Sequence, residues 1–157
     1  MTVRGYPIAA EALDLELYRL LSLIAASRAI HRSRRQWPAL DRLRNAFEPC
    51  ELSLRLISVA VAVRNLMDTS LIGPAHAQAP VGLLTRNCSG RQDQSDLTFR
   101  EACNKIIHAD EVELYSGAGN GSRPVQPRIR LHGARRRETW VAQVDPHAFI
   151  TETFEFV

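Results

Sequence analysis

Cysteine is scarce in this chain. There are three, Cys50, Cys88 and Cys103, and they are widely scattered. An odd number, widely scattered and without paired spacing, does not indicate a disulfide framework or a structural zinc site. Cys50 and Cys103 lie in apolar helical contexts, so we expect both to be buried free thiols.

Long hydrophobic runs are also missing. No uninterrupted apolar stretch approaches the ~18 residues of a membrane span, and the first residues lack the apolar core of a secretory signal. The 157 residues are 45% apolar and 24% charged, which is the composition of one folded domain. The sequence therefore predicts a cytoplasmic protein with a single domain over residues 1–157 and no membrane contact.

Lysine is nearly absent. Of the 20 basic residues, Lys105 is the one lysine, and the net charge is +3. Arginine can grip a phosphate with two parallel hydrogen bonds, although the codon preference of a GC-rich genome gives the same bias. Residues 28–44 hold six arginines against one aspartate, and residues 128–137 hold five arginines and no acid. These runs predict a footprint for nucleic acid; the alternative is two solvated surfaces that never meet. The nucleic-acid-binding candidates are Arg32, Arg34, Arg35 and Arg64.

The apolar spacing predicts helices over most of the chain. One runs from about residue 9 to 36, with Leu13, Leu17, Leu20 and Ile24 on one stripe, and a second begins at Pro38 and is broken or kinked at Pro49. The stretch that follows is the most apolar, and its stripe predicts a central helix. That stripe consists of Leu52, Leu56, Val59, Val63 and Met67, widened by Val61 and Leu66.

Turn-rich residues 69–95 predict a long loop. Thr98 followed by Glu101 matches a capping box, so a short helix is expected from there to about residue 109 or 110. Strands are predicted at 112–115, 128–132 and 139–144, and Asp145–Pro146 begins a C-terminal helix. The predicted fold is mainly α: a bundle of four to five helices, with a small antiparallel β-meander at about 112–144 inserted before the last helix.

The best candidate for a site is the short helix after Thr98. Arg100, Asn104 and His108 are four residues apart, which places them on one helix face. Arginine can hold a phosphate, the asparagine amide can position an oxygen, and histidine can move a proton near neutral pH. The opposite side carries Ala102, Cys103, Ile106 and Ile107 as an apolar anchor. A histidine near a helix C-terminus can also simply cap the last carbonyls.

The string Cys103-Asn104-Lys105-Ile106-Ile107-His108 resembles the signature of the HEPN superfamily (higher eukaryotes and prokaryotes nucleotide-binding). That signature is Arg, a polar residue that is often Asn, three variable residues and His, on a helix of a helical bundle. The resemblance implies metal-independent RNA cleavage at a site shared by two subunits, as in a toxin of a toxin–antitoxin or defence system. Asn104 and His108 match the pattern. Cys103 stands where the pattern has Arg, and Arg100 or Arg64 could act in its place.

Under this hypothesis His108, Asn104 and Arg100 are catalytic. His108 takes the proton of a ribose 2′-hydroxyl, an arginine stabilises the phosphate, and Asn104 orients the ribose or the histidine. No cofactor and no metal site are expected, consistent with the lack of clustered ligands in the sequence. The partners would be RNA, a second copy through the helices, and an antitoxin or other protein. Two alternatives remain: a non-catalytic binding or regulatory module, and a helical oligomerisation protein.

Overall fold

Two long helices and a five-stranded antiparallel sheet are the main elements of the computed structural model, which describes residues 10–69, 73–88, 90–114, 128–135 and 138–155. Within these residues the helices are α1 (Ala10–Arg32), α2 (Pro38–Asp68), α3 (Pro74–Ala77), α4 (Phe99–Ile107) and α5 (Pro146–Phe154). The strands are β1 (Pro80–Cys88), β2 (Arg91–Thr98), β3 (Glu111–Glu113), β4 (Ile129–Arg135) and β5 (Glu138–Val144).

The predicted helical bundle with a small meander is wrong, because the fold is mixed α and β. The strand order in the sheet is β2-β1-β5-β4-β3, and every neighbouring pair is antiparallel. The predicted meander at 112–144 corresponds to β3, β4 and β5, which are one side of this sheet. Strand β1 and most of β2 lie in the predicted 69–95 loop. Strand β2 lacks the alternation of apolar and polar residues that indicates a strand, because it is a polar edge strand, RQDQSDLT, with most of its residues exposed.

The pairing of α1 with α2 buries the apolar stripes that the sequence predicted. In α1 the stripe is Leu13, Leu17, Leu20 and Ile24, and in α2 it is the predicted stripe from Leu52 to Met67. However, α2 runs through Pro49 without ending. Contacts with α1 hold it on both sides of that proline: Arg44 Nη1 donates to the Ser27 carbonyl at 3.3 Å, and Arg55 pairs with Glu16 at 2.9 Å.

The outward face of α2 is apolar as well. Its exposed side chains include Leu40, Leu43, Phe47, Leu54, Ile57 and Val61. Cys50 lies on the same face and is exposed, so the expectation that it is buried is wrong, whereas Cys103 is buried as predicted. Val61, expected to widen the buried stripe, points instead to this outward face.

Two capping residues fix where α4 and α5 begin, as the sequence predicted. The Thr98 hydroxyl accepts a hydrogen bond from the Glu101 backbone N–H at 3.3 Å. The Asp145 carboxylate accepts from the backbone N–H groups of residues 147 and 148, with Pro146 in the first turn. Phe99 of α4 and Phe149 of α5 meet edge to face, with ring centroids 5.3 Å apart. The start of α4 is therefore anchored in the core.

Among the described helices, none has the length and apolar character needed to cross a membrane.

Candidate functional site

The polar side of α4 borders a cleft of about 650 Å³ against strands β4 and β5. Its lining residues, called the α4 cleft below, are Glu101, Asn104, Lys105, His108, Ala134, Arg135 and Trp140. The opposite side of α4 is buried through Phe99, Ala102, Cys103 and Ile106, which confirms the predicted apolar anchor. The buried apolar face of α4 fixes the orientation of its polar face relative to the sheet.

Trp140 gives the cleft an aromatic wall. Its side chain is almost fully buried, and Gly133 lies opposite it in the β4–β5 register. A Cβ atom at Gly133 would lie 2.1 Å from Trp140 Cζ2, so only glycine leaves room for the ring. Lys105 Nζ lies 4.1 Å from the ring centroid, in a cation–π contact. Burial lowers the pKa of Lys105 below its ordinary value, and the nearby Glu101 carboxylate opposes that shift.

Arg64 of α2 fixes the amide of Asn104. Its Nε donates to Asn104 Oδ1 at 2.9 Å. A guanidinium has no acceptor, so the oxygen end of the amide must face Arg64. The amide NH₂ group is then left to donate to a ligand in the α4 cleft.

Asp68 holds the two arginines nearest to Asn104. Its carboxylate pairs with Arg64 and, at 2.9 Å, with Arg100. Partial burial would raise the pKa of Asp68, but the hydrogen bonds from Arg64 and Arg100 outweigh it and keep the pKa below its ordinary value. Asn104, Arg64, Asp68 and Arg100 thus form a continuous chain of contacts, called the α2–α4 polar chain below.

Cys103 has no polar role here. Burial raises the pKa of its thiol to about 12, so the side chain is neutral at physiological pH. It packs in the core instead of facing the cleft, at the position where the HEPN pattern has arginine.

The predicted catalytic residues are divided between two places. Asn104 and His108 line the α4 cleft, and His108 is exposed there as the C-cap residue of α4. Arg100 is not among the lining residues, and its guanidinium contacts Asp68. Arg64 contacts Asn104, and like Arg100 it is not among the lining residues of the cleft.

The basic residues at the end of α1 lie far from the α4 cleft. Arg32, Arg34 and Arg35 are exposed and surround the α1–α2 turn. Arg64 follows the start of α2 by 26 residues, which is about 39 Å along a helix axis. These three arginines and the α4 cleft are therefore at opposite ends of α2.

Sequence reasoning predicted two of the seven lining residues and missed the other five, which are Glu101, Lys105, Ala134, Arg135 and Trp140. Arg135 belonged to the noted basic run at 128–137, so its charge was visible but its place was not. Lys105 is the one lysine of the chain, and a search for cations beside the Asn–x–x–x–His spacing would have found it. Nothing in the sequence places Trp140 beside α4.

A separate group of described side chains has metal-ligating chemistry, although the sequence predicted no metal site. His76 of α3, together with Glu152 and Glu155 at the end of α5, presents ligand atoms within 4.8 Å of one another. His76 Nδ1 and Glu152 Oε2 are 3.6 Å apart. None of these three residues lines the α4 cleft.

Comparison of the chain with protein-family models, with curated proteins and with solved structures finds no match. The chemistry of the α4 cleft is therefore argued below from its own residues.

Proposed function

We propose that the α4 cleft binds RNA and that His108 cleaves it without a metal ion. The observation that carries the proposal is the contact between Arg64 and Asn104, which occupies the amide oxygen and leaves the NH₂ group as a donor on a residue that lines the same cleft as His108. These are the two residues that match the HEPN signature. The resemblance at Asn104 and His108 supports RNA as the ligand, although this chain does not have the helical-bundle fold that the resemblance implied.

The charges of the cleft favour an anion. Lys105 and Arg135 both line it. The one lining carboxylate, Glu101, is bound by Arg86 at 2.7 Å, so an arginine outside the lining compensates its charge. With the Asn104 amide, the groups free to act on a ligand are mostly hydrogen-bond donors, which suits phosphate oxygens. The volume of about 650 Å³ falls within the range of nucleotide-sized ligand pockets.

The proposed reaction starts with neutral His108 accepting the proton of a ribose 2′-hydroxyl. The 2′ oxygen attacks the adjacent phosphorus, and the bond from phosphorus to the 5′ oxygen breaks. Arg135 stabilises the negative charge that develops on the non-bridging oxygens, and Lys105 donates a proton to the leaving oxygen. The products are a 2′,3′-cyclic phosphate and a 5′-hydroxyl. Asn104 donates to the phosphate or the ribose.

A second candidate function is RNA binding without cleavage. It is favoured by the buried thiol of Cys103 at the position of the signature arginine. It is also favoured by Arg100, whose guanidinium contacts Asp68 instead of lining the α4 cleft. The binding surface is the same in both candidates, and they differ only in whether His108 transfers a proton.

The test is cleavage of a labelled single-stranded RNA by purified protein in the presence of a chelator. We expect the wild type to release fragments that end in a 2′,3′-cyclic phosphate, and His108→Ala to release none. His147→Ala is the matched control, because His147 is an exposed histidine of α5 outside the cleft. An oligonucleotide of the same sequence with 2′-deoxy sugars should not be cleaved. Cleavage that survives in His108→Ala would contradict the mechanism.

Binding is measured separately, by fluorescence anisotropy with the same RNA at several salt concentrations. Arg135→Gln should weaken binding and lower the slope of log K against log salt by about 0.7, the value for one phosphate contact on a single strand. Arg19→Gln is the control, since Arg19 is an exposed arginine of α1 paired with Glu16. Binding without cleavage selects the second candidate. No binding by the wild type would refute both.

A further inference from the structure

The outward face of α2 has the pattern of a helix–helix interface. Its exposed apolar residues alternate at spacings of three and four: Leu40, Leu43, Phe47, Cys50, Leu54, Ile57 and Val61. This is the a and d pattern of a heptad repeat, and we call these seven residues the α2 seam. A period of 3.5 residues keeps one stripe facing a partner helix over many turns. We propose that two copies of this chain pack together along the α2 seam.

The exposed surface of α2 is unusually poor in charge. Between residues 39 and 61, ten residues are exposed: the seven of the α2 seam, Ala39, Arg42 and Ala46. Of these ten, Arg42 is the one charged residue. A solvated helix surface normally carries charged and polar residues at such positions, and large exposed apolar patches mark interaction sites.

The area of the α2 seam is sufficient for a dimer. Phe47 is 62% exposed and Leu54 50%, and the other leucine, isoleucine and valine residues of the seam are 40–55% exposed. At typical side-chain areas they present roughly 600 Å² of surface per chain, so two copies that cover the seam fully would bury about 1,200 Å², the lower bound of a standard stable interface. The flanking Ala39 and Ala46 add to that area.

The positions beside the seam suit a second copy of the same chain. On one side they are small: Ala39, Ala46, Ser53 and Ala60. On the other they are Arg44, Glu51, Ser58 and Asn65, and the two charged ones pair within their own chain, Arg44 with Asp41 and Glu51 with Arg55. In a parallel pair the small side of one helix faces the side with Arg44 and Glu51 of the other, so no like charges meet there. A stripe that matches itself also satisfies the requirement of a two-fold interface.

The seam ends where the α2–α4 polar chain begins. The next two heptad positions are Arg64 and Asp68, which bind Asn104 and Arg100 of α4. Charged residues bound to their own chain stop the apolar stripe before it reaches α4. The dimer therefore leaves the α4 cleft open, and this proposal stands whether or not the cleft binds RNA.

The first test is the molecular mass in solution over a wide concentration range, by light scattering or sedimentation. We expect the wild type to reach twice its chain mass of 17.6 kDa. Phe47→Lys and Leu54→Lys should weaken association at least ~100-fold, because each places a charge in the centre of the seam. Phe154→Lys is the matched control, since Phe154 is 68% exposed on α5 and outside the seam. All variants should keep the wild-type circular dichroism spectrum.

Cys50 provides a second readout without any substitution. It is an exposed thiol in the middle of the α2 seam, whereas Cys103 is buried within its own chain. Alkylation of Cys50, mapped by mass spectrometry, should slow as the protein concentration rises into the dimer range, and Phe47→Lys should abolish that protection. A chain that stays monomeric at every concentration would overturn the proposal and leave the face to a different partner. A dimer that persists in Phe47→Lys and Leu54→Lys, or one in which Cys50 alkylates at the monomer rate, would overturn it too.

Discussion

Gly133→Ala should destabilise the protein through one methyl group. The added Cβ would lie 2.1, 2.6 and 2.8 Å from Trp140 Cζ2, Cε2 and Cη2, which are all closer than real contacts allow. Trp140 is 4% exposed, so its ring has little free space to move into. Overpacking of this kind lowers the free energy of unfolding by ~1–3 kcal/mol. Replacing glycine also restricts the unfolded chain, which raises the free energy of unfolding by ~0.4–1 kcal/mol. We expect a net loss of about 1–2 kcal/mol.

The measurement is urea unfolding followed by circular dichroism, together with the melting temperature. A loss of that size should lower Tm by ~2–8 °C for a domain of this length. Gly73→Ala is the matched control: a Cβ at Gly73 meets nothing within 4 Å, so its stability should not fall. In a Trp140→Leu background the three clashing atoms are gone, and the cost of Gly133→Ala should shrink. Equal effects at Gly133 and Gly73, or an equal cost in both backgrounds, would refute the reasoning.

Three further predictions concern the α4 cap, an ion pair and a thiol. Thr98→Ala should cost ~1 kcal/mol of unfolding free energy in urea, because the Glu101 N–H loses its acceptor, whereas Thr98→Ser should retain most of it. The hydrogen bond from Arg55 lowers the pKa of Glu16 below its ordinary value of 4.5, although partial burial opposes that shift. The ionised Glu16 therefore stabilises the folded protein fully above pH 4.5, and this contribution is lost as the pH falls further. Glu16→Gln should therefore flatten the fall in Tm as the pH drops below 4.5, and an unchanged pH profile would contradict this. Cys103, with a pKa raised to about 12 by burial, should resist iodoacetamide at about pH 8 in the folded protein and react in urea; rapid alkylation in the native state would show that the thiol is accessible.

The parts of the fold that could be predicted are those with local signals. The caps at Thr98 and Asp145, the buried stripes of α1 and α2 and the anchor of α4 follow from residues within one or two turns of each other, and the structure confirms them. β1 and β2 were missed although they form a local hairpin in which Cys88 pairs with Arg91, and the pairing of β1 with the distant β5 left no signal in the sequence. Gly82 of β1 pairs with Val144 of β5, and a polar edge strand such as β2 looks like a loop in sequence.

The candidate site was predictable along α4 and not across it. The spacing of Asn104 and His108 placed them on one helix face, and both line the α4 cleft. The cleft's opposite wall comes from strands β4 and β5, which only the sheet brings to α4. Arg100 shares the same face by spacing, but its long side chain turns to Asp68 of α2, 32 residues earlier. Helical periodicity gives the direction of a Cβ atom and not the partner that a flexible guanidinium binds.

The junction between β2 and α4 contains no linker. Thr98 is the last residue of the strand and also the cap of the helix that follows. One residue inserted there would rotate α4 by about 100° and shift it along its axis, because an α-helix has 3.6 residues per turn. Asn104 and His108 would then face away from β4 and β5. The turn at Gly90, where φ is +82° and a Cβ would meet nothing within 4 Å, lies at the other end of β2 and does not set the rotation of α4. During evolution, insertions and deletions should accumulate at the β1–β2 turn, while the segment from Thr98 to His108 keeps a constant length.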